Sequence, residues 1–141
     1  MMMKVLLDTN ILLDAHLIDR PWHELAEELL NNDWGNKVHL FASALSLKDV
    51  YYILCKFFPE KEVRGVLNKI FSIVTILPVD TSILKNAVSS NEPDFEDGII
   101  RACAEENGID FIITRDMSAY EKSTIRSMDS EKFYINFIKT D

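Results

Sequence analysis

The chain has 141 residues, of which 48% are hydrophobic and 27% are charged. That balance predicts one globular domain over residues 1–141 and excludes a disordered chain. The formal net charge of −8 argues against a passive nucleic-acid binder with a broad basic face, and it leaves open an enzyme that meets phosphate through a bound cation.

In the first half of the chain, short apolar runs alternate with segments of helical apolar spacing. Pro21 stands near the start of one helical segment, where proline is favoured, and Pro59 separates two others. In chain order, the predicted elements are a strand at Lys4–Leu7, a helix at Pro21–Asn32, a strand at Val38–Ala42, a helix from a cap at Ser43 or Ser46 to about Phe57, and a helix at Glu62–Phe71.

The second half of the chain continues the alternation. Gly108 follows a helical segment as its C-terminal cap. Ser130–Lys139 predicts a terminal helix, although its aromatic residues also fit an extended segment. The other predicted elements are a strand at Ile73–Val79, a helix from Asp80 or Thr81 to about Ser89, a helix at Asp94–Asn107, a strand at Asp110–Thr114 and a short strand at Ile125–Met128.

The alternation of strands and helices predicts the fold class. It indicates an α/β fold with three layers, α/β/α, in which a central, mostly parallel sheet carries helices on both faces. Functional residues of such sheets lie in the crevice outside the carboxyl ends of the strands. We therefore expect the chemistry of this chain at that edge of the sheet.

Other sequence features predict the compartment. No apolar run approaches the ~20 residues of a membrane span, and the apolar start of the chain lacks the features of a signal peptide. The two cysteines, Cys55 and Cys103, lie in apolar-periodic segments and are expected to be free, buried thiols. Together these features predict a cytoplasmic protein with no membrane partner.

Four aspartates fall at positions that point to one crevice. Asp8 directly follows the first strand, and Asp116 follows the strand at 110–114 after one intervening residue. Parallel strands put both carboxyl ends on the same edge. Asp49 lies on the helix after the second strand, and Asp97 lies in the first turn of the helix before the strand at 110–114. Both of these helix positions can face the same crevice.

Such a group of carboxylates predicts a bound cation. Two carboxylates 4–5 Å apart repel each other by roughly 3–4 kcal/mol at an effective dielectric constant near 20, so four together need protons or a positive ion. Several hard oxygen ligands without histidine or cysteine suit Mg²⁺ or Mn²⁺. Such an ion can activate water and neutralise the charge that grows on a phosphodiester. Metal-assisted phosphodiester hydrolysis is the reaction that the group predicts.

Each of the four also has a structural alternative. Asp8 fits an Asx-type turn, Asp97 fits a capping-box acid after the N-cap Asp94 or an i,i+4 partner of Arg101, Asp49 fits a solvated helix residue, and Asp116 fits a turn. The placement of Asp8 and Asp116 at two strand ends is what these alternatives leave unexplained.

Three segments resemble a PIN domain in order and spacing: VLLDTNILLD, SALSLKDVYYIL and DFEDGIIRACAEENGIDFIITRD. The resemblance covers nearly the whole chain. It implies a compact α/β/α nuclease. Many members of that family are toxins of VapC-like toxin–antitoxin pairs that cleave RNA with Mg²⁺ or Mn²⁺.

The resemblance also implies roles for the four acids. Asp8, Asp49, Asp97 and Asp116 match the catalytic positions, and Asp8, Asp97 and Asp116 match the metal ligands. Asp49 stands where the family usually has glutamate, whose side chain is one methylene longer. Its reach to the metal is therefore shorter, and reduced activity is expected.

Auxiliary residues and partners follow from the same resemblance. Asp94 and Glu96 lie beside the third acid and assist it, while Thr9, Asn10 and Thr114 correspond to polar residues that orient ligands or water. Toxins of this type form homodimers and are silenced by an antitoxin that covers the site.

An acidic chain that captures RNA needs local basic groups, and four lie near the motifs: Lys48, Lys56, Arg101 and Arg115. A cluster of aromatic residues follows the second motif: Tyr51, Tyr52, Phe57 and Phe58. These aromatic residues predict core packing or a partner interface rather than a platform for stacking bases.

The leading hypothesis is an endoribonuclease in which the metal activates water for in-line attack on RNA. The alternative is a PIN-fold module without useful turnover, which binds RNA or a protein partner. A third reading, a haloacid-dehalogenase-like phosphatase with Asp8 as nucleophile, requires a second aspartate two residues further on, where this chain has Asn10.

Overall fold

The computed structural model describes residues 2–138. Over that range it contains five strands and seven α-helices, with a 3₁₀ turn at Met117–Tyr120 and a π-helical turn at Tyr134–Ile138. In chain order, the main elements are β1 (Met3–Leu7), α1 (Thr9–Asp14), α2 (His23–Asn31), β2 (Val38–Ser43), α3 (Ala44–Leu54), α4 (Glu60–Ile73), β3 (Thr75–Leu77), α5 (Thr81–Ser89), α6 (Phe95–Glu106), β4 (Phe111–Ile113), β5 (Arg126–Met128) and α7 (Ser130–Phe133).

The five strands form one sheet in the order β3-β2-β1-β4-β5, and every neighbouring pair is parallel. Strands β2 and β3 extend the sheet on one side of β1, and strands β4 and β5 extend it on the other. The order therefore reverses between β1 and β4, where Leu7 lies opposite Ile113. A crevice opens at such a switch point, outside the carboxyl ends of the strands.

Side chains of the central strands alternate between two apolar layers. Val5 and Leu7 of β1 pack with helices α1 to α4 and α7, whereas Leu6 packs with α5 and α6. Both faces of the sheet are thus covered, as parallel sheets require. The predicted three-layer α/β/α arrangement is confirmed, and the sheet is wholly parallel rather than mostly so.

Side-chain caps start the helices that follow the sheet edge. Ser43 caps α3 by accepting a hydrogen bond from the Ser46 backbone N–H (3.2 Å), and Asp80 caps α5. Asp94 caps α6 by accepting from Glu96 N–H (2.9 Å). Gly108 follows α6 with φ of +62°, which is the left-handed conformation expected after a helix end.

One element was absent from the sequence prediction. Helix α1 follows β1 directly, because Asp8 caps it by accepting from Thr9 N–H at 2.7 Å. Its six residues are fewer than two turns, too short to display a helical period.

Several predicted boundaries were wrong by a few residues. Helix α2 begins at His23 rather than Pro21, and α3 ends at Leu54 rather than near Phe57. Helix α4 runs on to Ile73, so β3 is shorter than the predicted Ile73–Val79. The C-terminal segment is helical to Ile138, as one of the two predicted alternatives had it; Lys139 lies outside the described residues. No helix within residues 2–138 has the length and apolarity needed to cross a membrane.

Candidate active site

Asp8 lies at the carboxyl end of β1, and only 8% of its surface is exposed. Its Oδ1 accepts the Thr9 backbone N–H (2.7 Å). Its Oδ2 accepts two hydroxyl groups, from Thr114 (2.8 Å) and Tyr120 (3.1 Å). A carboxylate has about four acceptor positions, so these three neutral donors orient Asp8 and leave one position for a further ligand.

Thr114 connects the ends of the two central strands. Its hydroxyl donates to Asp8 Oδ2 and accepts the backbone N–H of Asp116 (3.0 Å). The carboxylate of Asp116 is exposed, and its Oδ1 accepts the Ser118 hydroxyl at 2.6 Å. One buried threonine therefore fixes both Asp8 and the turn that carries Asp116.

Asp97 faces the same edge from the first turn of α6. The hydroxyl of the buried Tyr120 lies 3.5 Å from Asp97 Oδ1 as well as 3.1 Å from Asp8 Oδ2. Burial, followed by the charges of Asp8, Asp94 and Asp116, raises the pKa of Asp97 to about 6. Burial, followed by the charges of Asp8 and Asp97, also raises the pKa of Tyr120, so this hydroxyl keeps its proton.

Burial is also the main cause that raises the pKa of Asp8, and the charge of Asp116 adds to it. Hydrogen bonds from Thr114, Thr9 and Tyr120 act in the opposite direction. No lysine or arginine forms an ion pair with Asp8 within residues 2–138. Among the described residues its charge is therefore stabilised by dipoles alone, and the charge of Asp116 destabilises it.

Asp49 reaches the site from α3. Its side chain is 27% exposed, and its Oδ1 lies 3.7 Å from the Lys48 ammonium. Burial raises the pKa of Glu96, and the charges of Asp49 and Asp94 are the next causes. Asp49 and Glu96 thus face each other across the groove between α3 and α6.

The predicted acids share one open cleft of about 570 Å³. Thr114 lies beneath it, bonded to Asp8. The cleft is lined by eight of the nine residues singled out from the sequence: Asp8, Thr9, Asn10, Asp49, Asp94, Glu96, Asp97 and Asp116.

The oxygen donors of the cleft suit a divalent metal ion. The side chains that converge supply only carboxylate, hydroxyl and amide oxygens, which are the donors that Mg²⁺ and Mn²⁺ prefer. Within residues 2–138, no three acid, histidine or cysteine side chains are already spaced as a complete metal-binding group. The residues fit the ion in chemistry, and binding requires the carboxylates to draw closer.

Two basic residues predicted near the cleft lie elsewhere. Arg101 contacts Glu92 and Glu105 and donates to Asn86 Oδ1 at 2.8 Å. The i,i+4 pair with Asp97, one of the structural alternatives for that residue, is therefore not formed in the described part of the chain. Arg101 and its two carboxylate partners line a separate pocket, so only Lys48 and Lys56 remain as basic residues in the described lining of the cleft.

Arg115 is also turned away from the cleft, toward a buried aspartate. Its Nε donates to Asp14 Oδ2 (2.9 Å), and its guanidinium lies 3.9 Å from the centroid of the Trp22 ring. Arg20 donates to the other Asp14 oxygen at 3.1 Å. This ion-pair cluster (Asp14, Arg20 and Arg115) anchors the residue immediately before Asp116.

Sequence reasoning missed three residues that shape the site. Tyr120 bridges two of the acids, Ser118 holds Asp116, and Ser46 accepts the Thr9 hydroxyl at 2.8 Å. Ser118 has a weak sequence signal, since serine two residues after aspartate commonly bonds it in a turn. Tyr120 has no such signal.

A family model described as PIN domain matches residues 4–118. No curated protein matches the chain.

Several solved structures share the fold. VapC20 of Mycobacterium tuberculosis, described as a sarcin-ricin loop cleaving toxin, superposes with a TM-score of 0.67 at 15% identity, covering 84% of this chain and 94% of that chain. A toxin–antitoxin complex from Klebsiella pneumoniae gives 0.67 at 21% identity, covering 89% and 97%. DNA-bound VapBC from Salmonella typhimurium gives 0.62 at 20% identity, covering 91% and 98%. At these identities the likeness establishes the fold.

Proposed function

This chain belongs to the PIN domain family, and on that premise we propose that it is an endoribonuclease that hydrolyses RNA phosphodiester bonds with Mg²⁺ or Mn²⁺. The observation that carries the proposal is the shared cleft of Asp8, Asp49, Asp97 and Asp116. Crowding and burial raise the pKa of Asp8 and of Asp97 there. A divalent cation relieves that repulsion and is the ligand that such a cleft favours.

In this proposal Asp8, Asp97 and Asp116 hold the metal ion, with Asp49 in support. When bound, the ion supplies a water of lowered pKa and neutralises the charge that develops on the phosphodiester. Asp94 and Glu96 add negative charge at the rim of the cleft.

The remaining residues orient the acids. Thr9 and Thr114 hold the Asp8 carboxylate through its two oxygens. Tyr120 donates a hydrogen bond to Asp8 and lies next to Asp97. Asn10 lines the cleft beside them, where its amide can orient water or substrate. Because these donors are neutral, they fix the carboxylates without cancelling the charge that attracts a cation.

The direct test is RNA cleavage by the purified chain in Mn²⁺ or Mg²⁺. We expect cleavage that EDTA stops and that Asp8→Asn lowers at least a hundredfold, because removal of one key electrostatic group commonly costs about 10²–10³ in rate. Asp19→Asn is the control, since Asp19 is exposed and lies outside the cleft. Cleavage that persists unchanged in Asp8→Asn would overturn the proposal.

We further propose that the chain is the toxin of a toxin–antitoxin pair in the cytoplasm, and that it forms a homodimer. The support is the fold shared with proteins described as toxins and toxin–antitoxin complexes. The antitoxin would be a protein that covers the acidic cleft. Expression of the chain alone should arrest growth and Asp8→Asn should not, while light scattering should give twice the chain mass. Unimpaired growth with the active chain would count against the toxin role.

A second candidate function is a PIN-fold module without useful turnover, which binds RNA or a protein. Two observations favour it: Asp49 lies 3.7 Å from Lys48, and no ready-spaced metal-binding group exists within residues 2–138. Calorimetric titration with Mn²⁺ separates the candidates. Binding that Asp8→Asn removes supports the nuclease, and absence of binding at millimolar Mn²⁺ supports the module.

A further inference from the structure

One wall of the cleft is formed by residues of α3 and the turn that continues it. Lys48, Tyr52 and Lys56 follow each other at intervals of four residues, which puts them on one side of a helix. All three are exposed and all three line the cleft. We call them the Lys–Tyr–Lys ridge. It lies opposite the carboxylates of α6.

Tyr52 has none of the features of a core aromatic. It is 62% exposed, and within residues 2–138 its hydroxyl makes no hydrogen bond to another residue. Its ring contacts the Lys56 ammonium, which lies 4.8 Å from the ring centroid. The adjacent Tyr51 differs, because its hydroxyl donates to Glu60 Oε2 at 2.7 Å. A flat group that stacks on this exposed ring buries apolar surface of both partners, which is energetically favourable.

The charges of the cleft point to where a phosphate chain would lie. Lys48 and Lys56 are the only basic residues in the described cleft lining. Of the acids in that lining, Asp49 lies on α3, 3.7 Å from Lys48, and the others lie on or just before α6 and after β1 and β4. A polyanion is repelled by the acidic side and attracted by the ridge. Phosphates next to the reacting one therefore fall on the two lysines, with Tyr52 between them.

We propose that the Lys–Tyr–Lys ridge binds unpaired nucleotides next to the bond that is cut. Tyr52 stacks against one base, and Lys48 and Lys56 contact the flanking phosphates. This inference rests on the proposed function, and it assigns the nucleotides that flank the cut bond to the Lys–Tyr–Lys ridge. A paired base is stacked between its own neighbours and cannot cover a side-chain ring, whereas bases in loops and single strands can.

The test measures affinity for a short unstructured RNA by fluorescence anisotropy, in Mn²⁺, in an Asp8→Asn background that does not cut it. Tyr52→Ala should raise Kd by roughly 5- to 100-fold, the usual effect of losing one stacked base. Tyr52→Phe keeps the ring and should restore the affinity. Phe57→Ala is the matched control, because Phe57 is also 62% exposed but does not line the cleft.

The contribution of Lys48 and Lys56 is measured separately, by the salt dependence of RNA binding. Replacing both with glutamine should reduce the slope of log K against log salt by about 1.4, since each contact with a single strand contributes about 0.7. Lys61→Gln with Lys69→Gln is the control, because both lysines are exposed on α4, outside the cleft. An RNA duplex of the same sequence should bind with an affinity that Tyr52→Ala does not change.

The outcomes separate this inference from the proposed function. If Tyr52→Ala weakens RNA binding while the wild-type chain cuts no RNA, the ridge stands and the nuclease proposal fails. If the wild-type chain cuts RNA but Tyr52→Ala binds as before, the inference is overturned. It is also overturned if the Asp8→Asn chain binds no RNA at high micromolar concentration, or if Tyr52→Ala weakens only the binding of a protein.

Discussion

Asp8 at the start of helix α1 and Asp14 at its end are both buried, 8% and 0% exposed, but their surroundings are opposite. Asp14 receives two guanidinium groups, from Arg20 and Arg115. Asp8 receives a backbone N–H and two neutral hydroxyl groups, and the charge of Asp116 raises its pKa.

The difference separates a structural charge from a functional one. A buried charge that only has to be tolerated is paired with an opposite charge and hydrogen-bonded, as Asp14 is. At Asp8 the same chain supplies orientation without neutralisation. Local arrangements that stability alone does not favour are expected at functional sites, so Asp8, at the end of α1 without a basic partner among the described residues, is where we place the proposed cation.

The largest expected effect is a loss of folding stability on changing Asp14, the carboxylate that is paired with two arginines. Asp14→Asn leaves Arg20 and Arg115 without their carboxylate, and breaking a buried ion pair from one side costs about 3–5 kcal/mol. Both arginines are about a quarter exposed and can turn toward water, so we expect about 3 kcal/mol off the free energy of unfolding. Urea denaturation measures it.

Asp19→Asn is the control for that experiment, because Asp19 is exposed on the same connection and should shift stability by no more than about 0.5 kcal/mol. Equal stabilities of Asp14→Asn and Asp19→Asn would show that the ion-pair cluster contributes nothing, and the contrast between the two ends of α1 would be lost.

Asp8→Asn should have a much smaller effect on the same quantity in EDTA. The amide keeps the size of the side chain, the hydroxyls of Thr114 and Tyr120 can rotate to accept from it, and repulsion from Asp116 disappears. We expect a change within about 1 kcal/mol, the scale of one net hydrogen bond. In Mn²⁺ the wild-type Tm should rise and that of Asp8→Asn should stay constant.

If Asp8→Asn proved as destabilising as Asp14→Asn, both aspartates would be structural. If Mn²⁺ raised the Tm of the variant as much as that of the wild-type chain, the metal would bind elsewhere. Either result would contradict the functional role that we propose for Asp8.

The two ends of α1 also show how far the sequence alone could reach. Strand-end position made Asp8 and Asp116 predictable, because parallel strands bring their carboxyl ends to one edge whatever the intervening chain does. The same logic predicted the sheet and its two helical layers from alternation alone.

What the sequence could not show depends on contacts between distant residues. Tyr120 meets Asp8 across 112 positions, and Arg115 meets Asp14 across 101. No local pattern encodes either pair. Arg101 illustrates the same limit, since its spacing from Asp97 suited an ion pair, whereas the fold turns it toward Glu92 and Glu105.

A third prediction concerns the pH dependence of stability and tests Asp97, a neighbour of Asp8 in the acidic cleft. The pKa of Asp97 is raised from its ordinary 3.8 to about 6 in the folded chain. Between these values the folded state binds more protons than the unfolded state, so this group's contribution to stability is full below 3.8 and is lost as pH rises through about 6. The free energy of unfolding in EDTA should therefore fall over that window.

Other carboxyls titrate there in the opposite sense, since the pKa of Glu92 and that of Glu60 are lowered. The quantity to measure is the wild-type stability minus that of Asp97→Asn, by urea denaturation at each pH. That difference should decline with rising pH across the window and stay level above it. A flat difference would mean that burial and the neighbouring acids do not raise the pKa of Asp97.

The smallest expected effect is at Asp49, the acid whose placement rests most on resemblance to the family. Asp49→Glu lengthens the side chain by one methylene, to the length that the family resemblance implies at this position. We expect kcat/KM for RNA to rise by at most about tenfold, which is about 1.4 kcal/mol of barrier. Asp49→Asn, which removes the charge at constant length, should lower it.

Asp19→Glu is the matched control for the added methylene, on an exposed acid outside the cleft, and it should leave kcat/KM unchanged. If Asp49→Glu and Asp49→Asn both behave like that control, Asp49 is a solvated helix residue paired with Lys48. The acids without a basic partner among the described residues then reduce to Asp8, Asp97 and Asp116. A gain with glutamate and a loss with asparagine would instead extend that group across the cleft to α3.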